Sequence, residues 1–232
     1  MYQRSLLDKL DRKFGRYAIK NLMSVIVFGT VLVWLFDMIV YTRTGISLAE
    51  YFYFDRAAVL RGQVWRVITF VFVPSEWNML YLALSLYFYW LIGNSLENEW
   101  GSFKFDVFYL CGVFCTIVAG FITGFATAEY LNMSLFLAFA ILYPDYQVLL
   151  FFFIPVKMKW LALIDLIGLV LLVVMSIVIG AWPMLVALLV SFLNIALFFW
   201  RRAYNRIKNR FRRRRYKRQA KRPSDNEYPF DL

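Results

Sequence analysis

Long apolar runs separated by short polar segments dominate the sequence. About 20 consecutive apolar residues cross a bilayer as a helix, with a range of roughly 17 to 25. Five runs reach that length: 21–41, 78–96, 103–125, 157–179 and 182–200. A sixth run, 128–143, is shorter and is interrupted by Asn132 and Ser134. The pattern predicts an all-α, polytopic membrane protein with six transmembrane helices within residues 21–200.

Basic residues concentrate at the two ends of the chain. Of the 26 Lys and Arg residues, six lie in residues 1–20 and 13 in residues 201–222. Because membrane proteins keep clustered Lys and Arg in the cytoplasm, both termini are expected there, which requires an even number of spans. Six spans also place Lys157 and Lys159 on that side. We therefore expect an integral protein of a bacterial plasma membrane.

The composition excludes an ordinary soluble domain. Hydrophobic residues make up 62% of the chain and the mean hydropathy is +0.59, whereas soluble domains are roughly 45 to 50% apolar. Cys111 and Cys115 share one helical face, where they are expected to pack as small apolar side chains. The sequence has no histidine to complete a site with two thiolates, so we expect neither a metal nor another cofactor.

Residues 1–20 have the pattern of an amphipathic helix. Its apolar side chains are Leu6, Leu7, Leu10, Phe14 and Tyr17, and its basic side chains are Arg4, Lys9, Arg12, Lys13 and Arg16. A helix of this kind lies flat on a membrane, here on the inner leaflet. A short soluble cap fits the same pattern and stays open.

The tail, 201–232, is expected to extend the last helix into the cytoplasm and then become disordered. Its Lys and Arg side chains favour anionic lipid, at about 1 kcal/mol each. Clustered Arg with interleaved Tyr and Phe also suits RNA, so a ribosome or RNA contact at 201–222 is a further hypothesis. A cytoplasmic protein partner is a third.

Four segments occur in a defined order along the membrane part. They read GQVWRVITFVF from Gly62, LIGNSLENEWGSFKFDVFYL from Leu91, LAFAILYPD from Leu137, and FFFIPVKMKWLAL from Phe151. Together they resemble the rhomboid family of intramembrane proteases, over about residues 20–200. The resemblance implies a six-helix rhomboid-like bundle with a long loop, 42–76, half immersed in the outer leaflet.

The Trp-Arg element of that loop is part of the resemblance. Trp65 is then expected to anchor at the membrane interface. Arg66 is expected to find a carboxylate or backbone carbonyls, because an unpaired charge at that depth is costly. Glu97 and Glu99 are candidate carboxylates, and lipid phosphates reached by snorkelling are the alternative.

The catalytic positions of rhomboid proteases are altered in this chain. By resemblance, the serine nucleophile position falls on Glu129, the histidine base position on Phe192, and the histidine that assists the oxyanion near Pro74. A serine hydroxyl needs an adjacent base, and the chain has no histidine. The resemblance therefore implies an inactive member, a rhomboid pseudoprotease that is Derlin-like in behaviour and not an enzyme.

Other residues offer little chemistry to replace the missing pair. Ser134 lies about one and a half turns deeper than a nucleophile should. Glu129 and Asp165 would have to lie a few Å apart to share a proton as in aspartic proteases, yet they are expected at different depths. An intramembrane protease with such non-standard residues is the least favoured hypothesis.

Polar residues at membrane depth are the remaining candidates for function. Asn132, Ser134, Ser191 and Asn194 are expected on the fourth and sixth helices, where they form interhelical hydrogen bonds or a client-binding site. Asp165 is expected to be neutral or paired, and its partner could lie on a client helix. Gly120 and Gly124 allow close packing, within the bundle or in a dimer.

Three functional hypotheses follow from these residues. The first is a membrane adaptor or quality-control factor that binds transmembrane helices of client proteins. The second is an insertase-like or ribosome-associated factor that uses the Arg-rich tail. The third is the non-standard protease.

Overall fold

The computed structural model describes residues 6–150, 154–183, 185–186 and 188–189, which all belong to one unit, Met1–Ile195. Eight α-helices are described there: α1 Leu6–Phe14, α2 Leu22–Thr44, α3 Arg56–Leu60, α4 Arg66–Thr69, α5 Met79–Trp100, α6 Ser102–Thr123, α7 Glu129–Leu142 and α8 Met158–Ile179. Short 3-10 helices cover Gly15–Tyr17, Ala49–Tyr51 and Phe70–Phe72. The fold is that of a helical protein embedded in a membrane.

Four of the helical segments are long and apolar enough to cross a bilayer. They are Leu10–Thr44, Met79–Trp100, Ser102–Thr123 and Met158–Ile179. The predicted fourth span corresponds to α7, whose 14 residues are fewer than the roughly 17 that a complete crossing needs. The predicted sixth span, 182–200, lies mostly outside the described residues.

Helix α5 occupies the centre of the bundle and packs against α2, α6 and α7. Its side chains Ile92 and Leu96 are fully buried. Gly93 lets α5 approach α2 closely, because a Cβ atom there would collide with Met23. The core therefore forms where the first three spanning helices meet, and α8 is attached to it through α7.

The first loop, residues 45–78, is folded rather than extended and contains α3 and α4. Strand β1, Phe54–Asp55, pairs antiparallel with β2, Phe125–Ala126, which directly follows α6. A second hairpin joins β3, Gln147–Leu150, to β4, Ile154–Lys157, between α7 and α8. The fold is mostly helical, in agreement with the all-α prediction. The short strands lie in connections, where they satisfy backbone hydrogen bonds.

Gly120 provides the contact between α6 and the first loop. A Cβ atom at this position would lie 2.6 Å from the ring of Phe54 and 2.9 Å from Ala126. Gly124 ends α6 in a left-handed conformation with φ of 97°. Gly120 thus packs inside the fold, against a loop residue.

Candidate functional site

Arg66 is buried at the start of α4, where it joins three parts of the first loop. Its guanidinium Nη1 donates to the backbone carbonyls of Glu50 at 2.7 Å and Tyr53 at 2.9 Å. Its Nε donates to Gln63 Oε1 at 2.6 Å. A guanidinium is a rigid array of donors without an acceptor, so this side chain fixes the carbonyls around it. Arg66 acts as the central hydrogen-bond donor of the loop.

The carboxylate and phosphate partners considered for Arg66 are wrong. Glu97 Oε1 accepts instead from the backbone N–H of Asn21 at 2.9 Å and the hydroxyl of Ser102 at 2.7 Å. Glu99 is two residues further along α5, near its end. Arg66 itself is only 8% exposed, which leaves no route to lipid phosphates. Backbone carbonyls, the other expected type of partner, take this role together with a glutamine.

Trp65 lies beside Arg66 with half of its surface exposed. Its indole Nε1 donates to the carbonyl of Tyr51 at 3.2 Å. Burial raises the pKa of the Tyr53 hydroxyl above its ordinary value. From the end of α3 to α4 the large exposed apolar side chains are Leu60, Val64, Trp65 and Ile68. An aromatic and aliphatic surface of this kind is typical of segments at a membrane interface.

Asp37 closes the other end of the first loop. This buried side chain of α2 accepts through Oδ1 from the Ser47 hydroxyl at 2.9 Å and from the Ala49 N–H at 2.8 Å. Asp37 lies within the apolar run 21–41, but nothing in the sequence identifies these partners. Asp37 and Arg66 therefore hold the loop from both sides.

Pro74 and Asn132 line the same small cavity, although they are 58 residues apart in the sequence. The cavity has a volume of about 20 Å³, and its other polar lining residues include Thr30, Ser75 and Tyr89. The Tyr89 hydroxyl of α5 interacts with the side chains of Ser75 and Asn132. A space of this size holds about one water molecule. The structure thus brings two sequence-predicted positions together around one small pocket with polar and apolar lining residues.

Ser134 and Glu129 occupy different environments on α7. Ser134 is 1% exposed, and its hydroxyl donates to the carbonyl of Leu131 at 2.7 Å. Serine readily makes such a local bond inside helices. The residues of the sixth helix that were expected to bond to Ser134 lie outside the described ones. Glu129 is the first residue of α7 and is exposed. Within the described ranges, no acidic or basic side chain bonds to the Ser134 hydroxyl.

Asp165 lies on the buried stripe of α8, which also contains Met158, Leu169 and Ser176. Its Oδ2 is buried, and it has no hydrogen-bond partner among the residues that the structure describes. Asp165 and Glu129 therefore do not form the proton-sharing pair that was considered for an aspartic-type protease. An acid of this kind in a membrane helix is costly unless it is neutral or paired.

Three predicted positions, Ser191, Phe192 and Asn194, lie outside the described residues, as does the tail 201–232. The expected polar contact between the fourth and sixth helices is therefore described from the α7 side alone. There the neighbours of Asn132 are Tyr89 and the cavity, both on the α5 side.

Two further buried acids are Glu97, near the end of α5, and Asp106, near the start of α6. Asp106 Oδ2 accepts from the backbone N–H of Ile19 at 2.6 Å, and Glu97 accepts from Asn21 as described above. Each carboxylate keeps one buried oxygen that accepts no hydrogen bond from the part of the chain that the structure describes. These acids form a clamp on residues 19–21, which sequence reasoning missed. The sequence signal for this clamp was an acidic residue at each side of the junction between two apolar runs, Glu97 before it and Asp106 after it.

The main polar contacts described above for this part of the chain are the hydrogen bonds of Arg66, Asp37, Asp106 and Glu97. Over these residues no three His, Cys, Asp or Glu side chains are grouped so that they could hold a metal ion, and Cys111 and Cys115 are free thiols. No family model matches the chain, and no curated protein matches it significantly. Function is therefore inferred below from the positions and contacts of the residues themselves.

Proposed function

We propose that this chain is a catalytically inactive, rhomboid-like membrane protein that binds transmembrane helices of client proteins. It acts as an adaptor or quality-control factor, with a six-helix bundle and both termini in the cytoplasm. The ordered resemblance of four segments supports this proposal, and so does the loop built around Trp65 and Arg66, because that pair lies in the segment that carries the resemblance.

The state of Ser134 carries the proposal of inactivity. Its hydroxyl is buried and bonded to the Leu131 carbonyl, whereas a serine nucleophile must face a base and a substrate. The sequence has no histidine to act as that base. Glu129, at the position of the nucleophile, is an exposed carboxylate at a helix start. No hydroxyl is thus available for acyl transfer at either position.

The size of the cavity at Pro74 and Asn132 also argues against hydrolysis. Pockets that bind small ligands have volumes of roughly 300 to 1,000 Å³, and this one measures about 20 Å³. An extended peptide does not fit into it. The interaction of Tyr89 with Asn132 therefore has a structural role, since it joins α5 to α7.

Helix α8 offers a surface for a client helix. Apolar side chains are exposed around most of its circumference, including Ile164, Ile167, Val170, Leu171, Val174, Met175 and Val178. In a bilayer such a surface contacts lipid or another helix, and association depends on close packing and on polar groups. Asp165 supplies a polar group without a described partner beside this surface.

Photocrosslinking tests the proposed binding directly. A photoreactive amino acid replaces Ile167 or Val174, which are exposed on α8, and irradiation is performed in native membranes. The matched control carries the probe at Phe28, which is exposed on α2. We expect single-span proteins to be trapped from α8 and not from α2. Recovery of lipid adducts alone from both helices would contradict client binding.

The Arg-rich tail supports a second function, that of an insertase-like factor that contacts the ribosome or RNA. Residues 201–222 contain 13 of the 26 basic residues, and clustered positive charge binds nucleic acid in a salt-dependent manner. Deletion of 201–232 should abolish co-sedimentation with ribosomes if this function is real. Co-sedimentation that is equal in both chains, or indifferent to salt, would exclude it.

A further inference from the structure

The segment before the first span exposes large apolar side chains. In α1 and the residues after it, the exposed fractions are 43% for Leu10, 42% for Phe14, 67% for Tyr17 and 47% for Ile19. Each of these side chains therefore keeps a large apolar surface that the described residues leave uncovered. Removal of apolar surface from water is favourable, so the segment gains free energy from any apolar phase that it meets.

Positive charge borders this apolar surface. Residues 6–20 contain five basic and two acidic side chains. The Lys13 ammonium lies 5.4 Å from the centre of the Phe14 ring, and the Arg16 guanidinium lies 4.8 Å from the centre of the Tyr17 ring. Lys and Arg that flank aromatic rings match the boundary between acyl chains and phosphates.

The clamp fixes where this segment leaves the bundle. Asp106 and Glu97 are 6% and 7% exposed, and they hold the backbone N–H groups of Ile19 and Asn21. Helix α1 also packs against α6. From Ile19 to Leu22, where the span α2 begins, the chain reaches at most about 10 Å. The exposed rings are thereby held at the membrane boundary.

We infer that Leu6–Lys20 is an in-plane membrane anchor whose basic side chains bind anionic phospholipid headgroups. The apolar side chains Leu10, Phe14 and Tyr17 enter the acyl region. Lys13 and Arg16 remain at the phosphates, and the Asp106 and Glu97 clamp sets the direction of the segment. Lipid is favoured over a protein partner because the apolar surface continues directly into a membrane span. This inference does not depend on client binding.

Collision measurements on spin-labelled protein test the anchor. In a background with Cys111→Ala and Cys115→Ala, one label is placed at Phe14→Cys. The matched control label is placed at Arg12→Cys, which lies about 200° around the helix. The full chain is reconstituted in phosphatidylcholine vesicles with or without phosphatidylglycerol. We expect oxygen to reach position 14 and a water-soluble nickel chelate to reach position 12, with the larger contrast in the anionic vesicles.

Charge removal tests the headgroup contact. Each basic residue near an anionic surface contributes about fivefold in affinity (about 1 kcal/mol). Lys13→Gln with Arg16→Gln is therefore expected to weaken membrane association of the label by about 25-fold and to reduce its sensitivity to salt. The matched control, Arg43→Gln with Arg61→Gln, removes two exposed charges elsewhere and should leave the label at position 14 unchanged.

Equal access of the nickel chelate to positions 12 and 14 in anionic vesicles would overturn the inference. Protection that appears in native membranes but not in pure lipid would also overturn it, since it would indicate a protein partner. Protection that is the same with and without phosphatidylglycerol would exclude the role of anionic headgroups. If the Phe14→Cys chain does not fold, a label at Tyr17→Cys repeats the measurement on the same surface.

Discussion

The first loop and α8 differ in whether their buried charged groups have hydrogen-bond partners. Arg66 of the loop has three hydrogen-bond acceptors, and Asp37 of α2 has two donors from the loop. Both side chains are buried. In α8, Asp165 has a buried oxygen without a partner in the described ranges, and most of the helix surface is exposed. The loop is therefore internally complete, whereas α8 leaves its surface for lipid or another helix to cover.

Replacement of Arg66 should have the largest effect on this contrast. Arg66→Met leaves the carbonyls of Glu50 and Tyr53 without the guanidinium donor at part-buried positions, and unmet groups of this kind each cost about 1 to 3 kcal/mol. We expect the free energy of unfolding, measured by titration with denaturing detergent, to fall by about 3 kcal/mol. Arg66→Lys is the matched control and should lose less, because one ammonium still donates to a carbonyl.

A loss below about 1 kcal/mol for Arg66→Met, the range of an exposed charge, would show that the loop does not depend on this residue. The loop would then be no more rigidly built than α8.

Asp37 should give the next largest effect. Asp37→Ala leaves the Ser47 hydroxyl and the Ala49 N–H without their acceptor, and we expect a loss of about 2 kcal/mol in the free energy of unfolding. Asp37→Asn keeps an oxygen at the position of Oδ1 and should cost about half as much. Equal losses for the two variants would mean that the charge of Asp37, and not its acceptor geometry, holds the loop.

Alanine substitutions at two glycines compare how tightly the first loop and α8 are packed. Gly120→Ala adds a Cβ atom 2.6 Å from Phe54, and overpacking of this kind costs roughly 1 to 3 kcal/mol. Gly168→Ala in α8 meets no atom within 4 Å and should be neutral or stabilising by up to about 1 kcal/mol. Thermal unfolding followed by tryptophan fluorescence measures both. Equal behaviour of the two variants would contradict the contrast between loop and α8.

Asp165 should give the smallest change in stability. Asp165→Leu removes an acid from a membrane helix, which we expect to raise the free energy of unfolding by about 1 kcal/mol. The same variant in the crosslinking assay shows whether the carboxyl group contributes to client recovery. A loss of stability in Asp165→Leu would reveal an internal partner and would remove this acid from the proposed client surface.

Hydrophobic length predicted much of the fold. The runs 21–41, 78–96 and 157–179 correspond closely to α2, α5 and α8, because a membrane span requires a long apolar segment whatever its neighbours are. The loop bonds of Arg66 were not predictable in detail, since its acceptors are backbone carbonyls, which every residue carries.

The candidate site was predicted in part. Pro74 was selected from the rhomboid resemblance and Asn132 as a polar residue at membrane depth, and they line one cavity. Ser134 was expected to bond across helices, yet its hydroxyl reaches the Leu131 carbonyl of its own helix. A sequence cannot decide between these partners, because the local carbonyl is always within reach and the distant one depends on packing. The clamp on residues 19–21 was missed because its donors are backbone N–H groups, whose approach to Asp106 and Glu97 depends on packing.

The most direct test of the proposed function is a cleavage assay with the full chain in vesicles. A single-span substrate labelled at both ends is reconstituted with the wild-type protein, with Ser134→Ala and with Glu129→Ala, and its fragments are resolved by mass spectrometry. We predict that the substrate stays intact with all three chains, because the Ser134 side chain is 1% exposed and no acidic or basic side chain bonds to its hydroxyl within the described ranges. A fragment that forms with the wild-type protein and disappears with either variant would contradict the account.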